Sequence, residues 1–62
     1  MGDTEEQDLA RAMIRLYGAD AENVAAGHAE THAEMGDIVK SDKWRRITAA
    51  VADLRAQIRA PH

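Results

Sequence analysis

Apolar residues fall at Trp44, Ile47, Val51, Leu54 and Ile58, separated by three, four, three and four positions. Residues so spaced share one helical face, so the pattern draws a narrow apolar seam along a C-terminal helix. The seam carries the chain's only tryptophan and predicts burial against the rest of the molecule or a second copy. Upstream, Leu9, Met13, Leu16 and Tyr17, with Ala12 beside them, mark the inner face of a first helix. Ile14 lies well off that centre, and the broadened apolar arc predicts a helix with two neighbours. The second helix is weaker. Its inward arc is Ala21, Val24, Ala25, His28, His32 and Met35, with Asn23, Gly27, Glu30 and Glu34 opposite.

The punctuation between these segments is that of helix ends. Asp3 with Glu6, or Thr4 with Gln7, has capping-box spacing. Gly18 supplies the left-handed residue that closes the first helix, and Asp20 stands where an N-cap opens the second. Gly36 closes that one, and Asp37 can cap the third. A restart at Ser41 or Asp42 would instead free Ile38 and Val39 to pack elsewhere; the start at Asp37 is the one favoured. No window alternates apolar and polar residues with β-branched enrichment, so strands are not expected. The prediction is an all-α, three-helix domain over residues 1–62. Its helices lie at about 4–17, 20–35 and 37–59, with 1–3 and 60–62 frayed.

Composition changes this picture in one respect. A chain of 62 residues with no Cys and no Phe, but thirteen alanines, has little with which to fill a core. Alanine favours helix yet buries little area. Small folds commonly add a disulfide, a metal or a partner subunit, and the first is closed here. Self-association, most simply as a homodimer, is therefore expected. The candidate interface residues are Ile14, Ile38 and Val39, which lie off their stripes, together with Trp44.

Candidate chemistry is sparse. His28 and His32 are one helical turn apart, the spacing at which two imidazoles reach one metal ion. Neither a cysteine nor a local third ligand accompanies them, and Glu30 points away, so packing is the favoured role and no cofactor is expected. The hydroxyl groups and histidines form no catalytic constellation, and no phosphate-cradling glycine loop exists. Of the glycines, Gly18 and Gly36 mark helix ends and Gly27 lies on the outer face of the second helix, so an enzyme is not expected. Residues 1–37 carry nine acids against two arginines, whereas residues 38–62 carry six bases against two acids. The basic third helix raises the alternative of a small DNA-binding regulator. A net charge of −3 opposes it, and the cations spread to both sides of the seam. A metal-responsive protein using His28 and His32 is the further alternative. The acidic segment Gly2–Glu6 lacks the apolar run of a secretory signal, and no stretch approaches a membrane span, so a cytoplasmic protein is expected.

Tyr17-Gly18-Ala19-Asp20-Ala21, Gly36-Asp37 and Trp44-Arg45-Arg46-Ile47 with Leu54 beyond resemble a group of small bacterial α-helical proteins. In that group a Gly-Ala-Asp-Ala turn, a Gly-Asp turn and a Trp-x-x-Ile helix recur at similar distances. The resemblance covers roughly residues 9–54 and implies a helical bundle without an assigned activity. The chain departs from it at His28 and His32, where the group favours aliphatic or basic residues. The expectation is a non-enzymatic protein–protein interaction module.

Overall fold

The computed structural model describes residues 2–59, and for residues 2–4, 58 and 59 the backbone alone. Helix α1 spans Gly2–Tyr17, a 3-10 turn spans Gly18–Asp20, α2 spans Ala21–Glu34 and α3 spans Ile38–Arg59. Every described residue outside 35–37 is helical, and the fold is all-α. The side-chain roles expected of Asp3, Thr4 and Ile58, and the fraying expected at 1 and 60–62, lie outside the described residues; the fraying expected at 2–3 is not found, since α1 begins at Gly2.

One expected break is absent. Gly18 adopts φ 57 and bends the chain, but Asp20 makes no side-chain capping bond and keeps a helical backbone at φ −88, ψ −5. α1 therefore passes through the 3-10 turn directly into α2. Residues 2–34 form one bent helical run in place of two separated helices. The count of three holds only if that bend is taken as a break. Arg55 reaches back from α3 to hold the bend, donating to the Ala19 carbonyl at 3.3 Å and lying 3.7 Å from Glu22.

The second corner follows the sequence closely. Gly36, at φ 81, donates to the Ala33 carbonyl at 3.0 Å, and Asp37 donates to that of His32 at 2.8 Å. Those two bonds make a Schellman closure of α2. Asp37 then opens α3 at once: its carboxylate accepts from the Lys40 amide at 3.1 Å and its carbonyl accepts from that of Ser41 at 3.0 Å. The start at Asp37 is the observed one. Ser41 does not restart the helix but is buried, donating its hydroxyl to the Ala29 carbonyl at 2.9 Å.

α3 is the central element, packing most extensively on α2 and less on α1, while α1 and α2 meet sparingly. Glu6 pairs with Arg46 at 3.2 Å, and Ile14 shares a groove with Leu54, so α1 runs parallel to α3. Ser41 with Ala29 and Arg55 with Glu22 show α2 running antiparallel to it. Ile47 and Val51, the middle of the seam, are the largest fully buried side chains, and Trp44 and Leu54 pack on the cluster from its edges.

The faces turned toward them differ from the expected ones. On α2 the buried stripe is Ala21, Ala25 and Ala29, with His28 and Met35 exposed. That turns the helix by roughly 40° from the expected arc, at about 3.6 residues per turn. On α1 the inner face is Ala10, Met13 and Ile14, whereas Leu9, Leu16 and Tyr17 are exposed. Here the turn is roughly 75°. The same cause serves both. Alanines let the axes approach until Ile47 and Val51 fill the space at interior density, which a leucine facing α3 would prevent.

Gly36→Ala meets no atom within 4 Å, so its cost is backbone alone. It should destabilise the fold by about 1–2 kcal/mol, the penalty of a left-handed non-glycine residue. Ala25→Leu should cost about 1–3 kcal/mol by forcing α2 off α3. Urea denaturation followed by circular dichroism measures both.

Candidate interaction surfaces

Four features of the surface can carry function: the histidine pair, the cations of α3, an apolar corner and an open groove. His28 does not turn inward. It is exposed, and its ring stacks on that of Trp44 with centroids 4.4 Å apart and planes 28° from parallel. The close α2–α3 approach, fixed one turn away by Ser41 and Ala29, brings those rings together. Aromatic stacking of this kind contributes about 0.5–1.5 kcal/mol beyond the area it covers. Trp44 is thereby half-buried, with its inner side on the core and its outer side under an imidazole. The stack has no sequence signal beyond the i, i+4 histidines, because it pairs residues sixteen positions apart.

His32 is half-buried, and its Nδ1 is enclosed with no hydrogen-bond partner. That nitrogen meets neither a backbone group nor a carboxylate. Among the described residues no three His, Cys, Asp or Glu side chains gather as a metal cluster.

The basic character of α3 is largely answered within the chain. Arg46 bridges Glu6 and Asp42, Arg55 bridges Glu22, and Lys40 lies 4.0 Å from Asp37. Lys43 and Arg45 are the α3 cations left without an ion pair among the described residues, and they project on different sides of the helix. Among the described residues no continuous cationic stripe faces outward for a nucleic-acid groove.

The apolar corner lies where α2 meets α3. Met35, Ile38 and Val39 are 71%, 71% and 79% exposed, and Leu16 at the opposite end is 75% exposed. Ile38 and Val39 are therefore free of the core. Ile14 is half-buried and packs on it. It also floors a groove of about 440 Å³ between α1 and α3, lined with Leu54, Arg11, Arg15 and Gln57. A second hollow of about 290 Å³, sharing Leu54 and Gln57, continues it past Ala50, Ala49 and Asp53 to Glu6 and Arg46. Both open onto solvent along the α1–α3 surface. Sequence reasoning marked Ile14 but not this groove, whose walls come from two helices far apart in the chain.

No family model matches the chain, and no curated protein and no solved structure matches it either. Among the described residues no helix is long and apolar enough to cross a membrane.

His28→Ala should cost about 1 kcal/mol of stability through loss of the stack. It should also move the Trp44 fluorescence emission to longer wavelength by opening the indole's outer side to water. Unchanged emission would show that the stack does not shield the ring.

Proposed function

We propose that this chain is a small non-enzymatic protein–protein interaction module that self-associates, most simply as a homodimer, through α1 and α3, and that it works in the cytoplasm. One observation carries the reading. Bulky apolar side chains are left at the surface while the fully buried positions are held by Ile47, Val51 and alanines. Each exposed aliphatic side chain forgoes about 1.5–3 kcal/mol available on full burial, in a fold too small to have stability to spare. Contact with a second copy adds apolar burial to this thin core without any change of sequence. The likeness of the Gly-Ala-Asp-Ala, Gly-Asp and Trp-x-x-Ile elements to those of small bacterial helical proteins accords with such a module and adds no activity to it.

Sedimentation velocity across the micromolar range should show a concentration-dependent shift from monomer to dimer, with the melting temperature rising in step. A single monomeric species at every concentration would remove the reading. A gel-shift at low salt should show no retardation of duplex DNA; retardation would favour the regulator alternative.

A further inference from the structure

The groove between α1 and α3 has a construction that goes further than a generic sticky face. Its floor is apolar, made by Ile14, Ala50 and Leu54. One rim, on α1, is the row containing Arg11 and Arg15; the other, on α3, is the row Ala49, Asp53 and Gln57. Along this stretch the rims carry opposite charge, while at the far end Glu6 of α1 and Arg46 of α3 have the reverse signs and pair with each other. Arg15 and Asp53 are both exposed, and neither has an ion-pair partner among the described residues. Arg11 is held only by Asp8, at 3.4 Å and in full view of solvent.

We propose that this groove is an isologous dimer interface in which a second copy seats its own α1–α3 groove, with Asp53 of each copy placed between Arg11 and Arg15 of the other. The inference rests on the self-association proposed above and places it at the groove, where half-buried Ile14 and Leu54 gain cover while Leu16, Met35, Ile38 and Val39 stay outside the contact. Its geometry follows from the parallel run of the two helices. Glu6 pairs with Arg46 and Ile14 shares the groove with Leu54, and both pairs are forty places apart, which we take as the register of α1 on α3. Arg11 and Arg15 therefore lie level with positions 51 and 55, and Asp53 falls midway between them. A twofold axis along the groove preserves these levels while exchanging the rims, which sets each positive row against the partner's negative one. Ile14 and Leu54 of both copies then close on one another beneath the charges. The surface is short, so the interface stands near the low end of specific ones, about 1,200 Å² in total, and a micromolar dissociation constant is expected.

Charge reversal tests this directly. Asp53→Arg and Arg15→Asp alter exposed positions, so the helical circular dichroism should be retained. Each alone places like charges opposite one another and should raise the dimer dissociation constant by about tenfold or more. The double variant restores opposite charges at 15 and 53 while Arg11 still faces the arginine introduced at 53, so it should recover part of the loss, binding at least about threefold more tightly than either single reversal. Val39→Asp, at the distant corner, should leave it unchanged. If the parent chain dimerises but neither single reversal weakens it, the groove is overturned while self-association stands. The groove is likewise overturned if both reversals weaken the dimer without rescue in the double variant, or if Val39→Asp abolishes it. A parent chain that stays monomeric overturns the groove together with the self-association reading.

Discussion

Close approach of α2 to α3 is the constraint on which the remaining geometry depends. Ala21, Ala25 and Ala29 give α2 a flat small-residue stripe, and Ile47 and Val51 press into it. The Ser41 hydroxyl is buried at the same seam, where an unpaired donor would cost about 1–3 kcal/mol. It finds the Ala29 carbonyl at 2.9 Å, a bond that exists in one register only. Sliding α3 by a turn would break it and carry the seam off the alanines. With that register set, Trp44 comes under His28 and Arg55 comes beside Glu22 and the Ala19 carbonyl. The side-chain bonds spanning α2 and α3 are consequences of one packing choice.

The same choice creates the molecule's exposed surface. Alanine packing is dense but removes little apolar area from water, because each side chain is one methyl group. Turning α1 to present Ala10 and Met13 to α3 leaves Leu16 outside. Turning α2 to present its alanine stripe leaves Met35 outside, and the tight Gly36–Asp37 corner brings Ile38 and Val39 next to it. Met35, Ile38 and Val39 share one exposed apolar corner, and Leu16 stands apart from it at the opposite end. A short interior and an apolar exterior are thus two faces of a single solution.

The sequence was most legible where one residue type has one physical use. Gly18 and Gly36 take the positive φ their positions imply, and Asp37 caps α3 because its carboxylate stands three residues before an orphan amide. The 3,4 spacing of Ile47 and Val51 located the core on α3. Illegible were choices decided between helices. Periodicity places Leu9 and Leu16 together on one face, but whether that face turns inward depends on how closely α3 can approach, which the α1 sequence does not contain. Asp20 looks like an N-cap in isolation, yet the 3-10 turn keeps the backbone helical through it and removes the orphan amides it would serve. Ser41 reads locally as a cap or turn residue, and its partner lies twelve positions upstream. The histidine pair suggested a shared inward task, but a rotation of α2 by less than one residue's arc sends one ring outward onto Trp44.

Charge explains why α3, not α1 or α2, is the element in the middle. Residues 1–37 carry nine acids against two arginines, so α1 and α2 are both anionic and gain nothing electrostatically by lying together. Accordingly, they meet sparingly. α3 carries the cations and offers one to each neighbour: Arg46 to Glu6 of α1, and Arg55 to Glu22 of α2. Arg46 is more than half exposed, so the ion pair adds little net stability. Its value is selective, since exchanging the two flanking helices would place Glu6 and Glu22 at the wrong levels along α3. Glu6 supports this view, for its side chain is only 14% exposed and so is held against α3 rather than waving in solvent. A carboxylate that enclosed is costly unless a cation faces it, and α1 can therefore settle stably only where Arg46 already stands.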